Sequence, residues 1–208
     1  MEYAFHVFNK LAADGANMAT EKLLRAVAEK KSLKRGRAGT NTNSELFRTP
    51  PVIVCIGSDL AIGDSLGPVT GSMLKYKTQG LGAFIYGTLS SPVTAKEIRY
   101  VRSFLKETHK DSLVIAVDAA VGVEGDVGLI KISDTPLLPG AGANKKLGAI
   151  GDISVMGIVA ERSIANYGLF NTTRLNLVYT MSEIVSDALS SLLWERCSAK
   201  NAQTLQNA

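Results

Sequence analysis

Two unbroken apolar runs, Val52-Ile53-Val54-Cys55-Ile56-Gly57 and Leu113-Val114-Ile115-Ala116-Val117, constrain the fold of this chain more than any other feature. A short run with no polar alternation is what a strand covered on both faces requires. Helical patterns lie between such runs. One spans residues 67–77, with Pro68 admissible in the first turn. Another spans 95–107, with Ile98, Val101, Phe104 and Leu105 on one face. A shorter strand is expected over 83–86. Alternating strands and helices imply a mostly parallel central sheet with helices on both faces, a three-layer α/β/α domain. In such sheets ligands gather outside the carboxyl ends of the strands. Asp64 follows the first run within Gly57-Ser58-Asp59-Leu60-Ala61-Ile62-Gly63-Asp64-Ser65-Leu66-Gly67, and Asp118 ends the second. Two carboxylates delivered there by neighbouring strands can share a proton, position a water or hold a metal.

The rest of the chain is less strongly patterned. Residues 1–17 have no clear period, whereas 18–31 read as a helix with Thr20 at its N-cap and Leu23, Leu24, Val27 and Ala28 on one face. A basic run over 30–37 and a polar stretch over 39–44 read as a linker. Residues 1–48 hold nine Lys/Arg against five Asp/Glu, and residues 49–208 hold fourteen of each, so the formal net charge of +4 belongs to the first segment. The expected organisation is an N-terminal helix and linker over 1–48, an α/β domain over 49–196 and a flexible tail over 197–208. A neutral domain argues against a nucleic-acid partner, which calls for a basic stripe on the folded unit. Further strands are expected over 127–133 and 152–158, and a last helix over 174–194 carries Leu175, Val178, Met181, Val185, Leu189 and Leu192 at helical spacing. No apolar run reaches the roughly 18 residues of a membrane span. Two distant cysteines, and a start broken by Glu2, His6 and Lys10 rather than a secretory h-region, point to a cytoplasmic protein with reduced thiols.

The loop after the first run is glycine-rich, but a phosphate cradle requires a lysine where Asp64 stands, and G-x-G-x-x-G is absent. Nucleotide binding at that loop is therefore excluded. Taken singly, Asp64 reads as a helix cap and Asp118 as a loop residue bonded to nearby backbone. Their pairing at two strand ends shifts the balance toward function. His6 and His109 are the only histidines and read as surface residues, and Glu124 and Asp126 read as a solvated turn. A serine triad lacks its histidine, and Cys55 reads as a core thiol. Residues 136–144 are too rich in proline and glycine for a regular element and suit a substrate-covering loop.

Gly63-Asp64-Ser65-Leu66-Gly67-Pro68, Val117-Asp118-Ala119 and Ile132-Ser133-Asp134-Thr135 with Pro139-Gly140-Ala141-Gly142 resemble the germination protease of spore-forming bacteria. Residues 52–194 look closer still to the YyaC-type sporulation proteins, and both groups are similar in fold to the hydrogenase-maturation endopeptidases. The resemblance implies an aspartic-type peptidase with Asp64 and Asp118 as its catalytic pair. Ser65 and Ser133 would orient the carboxyls, and Ser65, Ser133, Asp134, Gly140 and Gly142 would lie against substrate. The glutamate with which the hydrogenase endopeptidases read nickel is replaced by Ser65, and no histidine follows the third strand, so neither metal nor other cofactor is expected. The implied partners are protein or peptide substrates such as small acid-soluble spore proteins, in forespore or mother cell, without membrane; self-association stays open. Two rival readings are a non-catalytic partner-binding protein on a peptidase fold and a metal-binding maturation factor.

Overall fold

The computed structural model describes residues 1–34, 51–140, 147–162 and 173–206. Within them six strands form one sheet: β1 (Glu2–His6), β2 (Val52–Cys55), β3 (Phe84–Tyr86), β4 (Val114–Gly122), β5 (Leu129–Ser133) and β6 (Ile153–Glu161). Their order across the sheet is β1-β5-β6-β4-β2-β3. The four helices described are α1 (Ala12–Lys34), α2 (Leu66–Lys77), α3 (Ile98–Thr108) and α4 (Leu175–Gln206). Strands β3, β2, β4 and β6 are mutually parallel, and β5 runs against both β6 and β1. The two apolar runs are direct parallel neighbours, with Val52 opposite Val114 and Cys55 opposite Val117.

Three layers result. On one face Leu23 and Leu24 of α1, Leu66 and Leu74 of α2, and Met181 and Leu189 of α4 pack over Ile53, Ile115, Ile130 and Ile153. On the other face Ile98, Val101 and Leu105 of α3 cover Val52, Val54 and Ala116. Burial on both sides is why β2 and β4 show no polar alternation.

The N-terminal segment departs from expectation. Rather than standing apart from the α/β unit, residues 1–34 supply an edge strand and a covering helix. Phe5 pairs with Ile130 across the β1–β5 ladder, and Leu24 of α1 is fully buried. Arg196 of α4 donates to Glu21 of α1 at 2.9 Å. The physical reason lies in the sheet: β5 and β6 extend beyond the reach of α2, and the apolar stripe of α1 covers them. Residues 1–34 therefore belong to the same sheet unit as the rest of the described chain. Thr20 is not a cap; it lies mid-helix, with its hydroxyl donating to the Ala16 carbonyl at 2.7 Å. Likewise α4 runs on to Gln206, so most of the segment expected as a flexible tail is helical.

Candidate active site

Asp118 lies within β4 rather than just beyond it. The strand continues to Gly122, because Ala119 and Ala120 still pair with Gly157 and Ile158 of β6. Alternation along β4 puts Asp118 on the same face as Ala116, the face that α3 covers, and register sets it beside Met156. The residue is only 9% exposed. The Ala119 N–H donates to its Oδ1 at 2.9 Å, so the local backbone contact expected for a loop aspartate does form. That bond favours the ionised carboxylate, but it is outweighed. Burial first, and the charge of Asp64 second, hold the Asp118 carboxyl well above the ordinary carboxylate range.

Asp64 reaches the same place from β2. After Cys55 the chain turns at Gly57, whose φ of 138° is a backbone state that side chains avoid. A Cβ there would overlap the Asp64 carbonyl oxygen, to which the Ser58 N–H donates at 3.0 Å. The loop thus closes on itself, and a single 3-10 turn, Ile62–Asp64, leads into α2. The N-cap of α2 is Ser65, not Asp64. Close contact between α2 and the sheet depends on Gly67, where a Cβ would overlap the Ile56 carbonyl oxygen. Asp64 is therefore held between the carboxyl end of β2 and the first turn of α2, close enough for its charge to act on Asp118.

The other residues expected at the site separate from this pair. Ser65 is adjacent in sequence, but its hydroxyl donates to the Ile62 carbonyl at 2.7 Å rather than to a carboxyl. Ser133 pairs with Ser154 near the start of β6, two register positions before the Asp118 level, and its hydroxyl meets Thr135 at 2.9 Å. Because β5 runs against β4 and β6, its carboxyl end lies at the amino-terminal edge of the parallel strands. Ser133 and Asp134 are consequently on the edge opposite the aspartate pair. Asp134 is engaged there by the Met1 amino group and by Lys30 at 2.9 Å, which hold its carboxyl down at about 2. Gly140 follows Leu137, whose bridge to Ile150 keeps that part of the loop at the same far edge. Gly142 lies outside the described residues. The described part of the loop does not cover the aspartates, because strand direction carries it away.

Glu124 and Asp126 do occupy a turn, and Asp126 pairs with Lys131 at 2.7 Å. His109 meets the Tyr86 hydroxyl at 2.8 Å in an aromatic cluster with Phe84 and Phe104, remote from both aspartates. Cys55 is fully buried, and burial pushes its thiol far up, which suits a core residue and not a nucleophile. Among the described residues no group of three or more His, Cys, Asp or Glu side chains is placed to hold a metal ion. No described helix is long and apolar enough to cross a membrane. The carboxyl edge also carries an apolar element that no sequence motif marks. Leu60, Leu89 and Val123, on the loops after β2, β3 and β4, are exposed at the carboxyl edge, with Leu60 92% accessible. Apolar residues in otherwise polar loops were the available signal.

Residues 28–188 match the family described as "Protein of unknown function (DUF1256)". The chain belongs to that family. The matched span contains both Asp64 and Asp118 but begins within α1, leaving β1 outside it. Over 142 residues the chain is 44% identical to "Uncharacterized protein YyaC" of Bacillus subtilis (strain 168), which is 68% of each protein. Among solved structures it is similar to the crystal structure of a NiFe hydrogenase maturation protease, HycI, from Thermococcus kodakarensis KOD1. That likeness has 20% identity and a TM-score of 0.46, covering 70% of this chain and 92% of the other. A likeness of that grade carries no functional argument.

Proposed function

We propose that this family member is an aspartic-type peptidase in which Asp64 and Asp118 work as a pair. The observation that carries the reading is the environment of Asp118: a buried carboxyl beside the Asp64 charge, two influences that both favour its protonated form. Two carboxyls whose surroundings push them apart divide naturally into acid and base. Asp118 is the acid, and Asp64, on the half-buried loop after β2, is the base. Asp64 takes a proton from water as the water oxygen attacks the scissile carbonyl carbon, while Asp118 donates to the carbonyl oxygen. Collapse of the tetrahedral adduct returns a proton to the leaving amine and regenerates the pair. The exposed apolar side chains of Leu60, Leu89 and Val123 beside this edge suit an extended peptide. The sequence resemblance to the germination protease extends the proposal to small acid-soluble spore proteins as substrates and to a role in sporulation.

The test offers small basic spore proteins and unstructured peptides to the purified chain and to Asp64→Asn and Asp118→Asn, with and without divalent metal. Each substitution keeps side-chain volume but removes the carboxyl that accepts or donates the proton, so cleavage should fall by at least about 100-fold. Activity surviving in either variant would exclude the pair as the catalytic centre. A wild-type chain inactive on every substrate would favour a binding protein on this fold, and activity only with metal would favour a metal-dependent maturation factor.

A further inference from the structure

A cavity of about 310 Å³ opens at the edge of the sheet opposite the aspartate pair, between the ends of α1 and α3 and the turn that enters β6. Four cationic side chains line it, Lys31 from α1, Arg102 and Lys106 from α3, and Lys110 just beyond α3, against a single carboxylate, Asp152. Asp152 is already committed. Its Oδ1 pairs with Lys31 at 2.7 Å, and its Oδ2 accepts the Val114 N–H at 2.9 Å. Arg102 is seated by backbone, not by an acid: its Nη1 donates to the Leu147 carbonyl at 3.3 Å. The guanidinium lies directly over Gly148, where any Cβ would overlap it. Lys106 has no ion-pair partner among the described residues. Leu105, Val114 and Ile150 give the cavity an apolar wall.

A cation in the last turn of α3 would be accounted for by the helix carbonyls alone. Lys31, Arg102 and Lys106 converging on one volume with one committed carboxylate are not, because like charges brought together repel. A multiply charged anion relieves that repulsion, and a guanidinium, with donors beyond the one given to Leu147, favours phosphate oxygens in particular. The volume is at the small end of ligand pockets, which begin at about 300 Å³. It suits a small molecule rather than a nucleic-acid strand.

We propose that this cavity is a binding site for a small phosphorylated anion. Its phosphate oxygens are held by Arg102, Lys106 and Lys31, and its organic body rests on Leu105, Val114 and Ile150. The site is independent of the peptidase reading, since it shares no residue with the aspartate pair. Calorimetric titration of the full chain with pyrophosphate tests it, beside Arg102→Gln, Lys106→Gln and Asp118→Asn, with thermal melts confirming that each variant is folded. Saturable one-to-one binding is expected in the wild type, weakened about tenfold or more in the Arg102 and Lys106 variants and unchanged in Asp118→Asn. Arg102→Lys, which keeps the charge but loses the fork, should fall between. Absence of saturable binding at millimolar pyrophosphate would overturn the proposal. So would wild-type affinity in both cavity variants, or loss of binding in Asp118→Asn.

Discussion

Replacing Asp118 by asparagine should stabilise the protein at neutral pH, and the gain should follow a defined pH course. Asparagine keeps the volume and the oxygen that accepts the Ala119 N–H, so packing around β4 is unchanged. What changes is the proton. In the native protein burial and the Asp64 charge raise the Asp118 carboxyl, whereas the unfolded chain releases that proton near the ordinary value of about 4. The wild-type contribution is therefore complete below about pH 4 and is lost as pH rises toward the native value. The asparagine variant has no such loss. The stability difference should be flat below about pH 4, then rise in favour of asparagine with a limiting slope of about 1.4 kcal/mol per pH unit. It should level off once the native carboxyl ionises. Urea unfolding between pH 3 and 9 can be followed through the single tryptophan, Trp194, whose indole N–H donates to the Lys77 carbonyl at 3.1 Å and ties α4 to α2. A difference that stays constant with pH would refute a raised carboxyl. A difference that turns toward the wild type as pH rises would show instead that the ionised carboxylate is the stabilised form.

Three further outcomes follow from packing. Leu24→Ala should cost about 2–5 kcal/mol by urea midpoint, because Leu24 is fully buried between α1 and the sheet; a cost below about 1 kcal/mol would remove α1 from the core. Gly67→Ala should destabilise by at least about 1–3 kcal/mol, since the new methyl meets the Ile56 carbonyl oxygen and α2 must shift, and an unchanged melting temperature would refute the close approach. In a Cys197→Ser background, Cys55 should react with Ellman's reagent only after denaturant is added, and rapid labelling of the folded protein would contradict its burial.

The legible part of this protein is its parallel centre. Apolar runs without alternation announced β2 and β4, and helical spacing announced α2 and α3 to within a few residues, because burial on both faces or along one stripe leaves a local record. The expected convergence of Asp64 and Asp118 followed from placing their strands side by side, and β2 and β4 are indeed paired. Strand β1 left almost no record, since an edge strand of five residues with partly exposed side chains has no distinctive period. The stripe Leu23, Leu24 and Val27 was visible on α1, but nothing nearby in the chain said what it would cover. Ser133 and Asp134 were assigned to the wrong edge for a related reason: a strand's composition does not encode its direction. The reversal of β5 is settled by its pairing with β1 and β6, contacts between residues more than a hundred positions apart in the first case. The cationic cavity likewise gathers Lys31, Arg102 and Asp152 from three separated segments. Local periodicity records how each segment is buried, while the partner and direction of each segment depend on long-range packing energies that no single window of sequence contains.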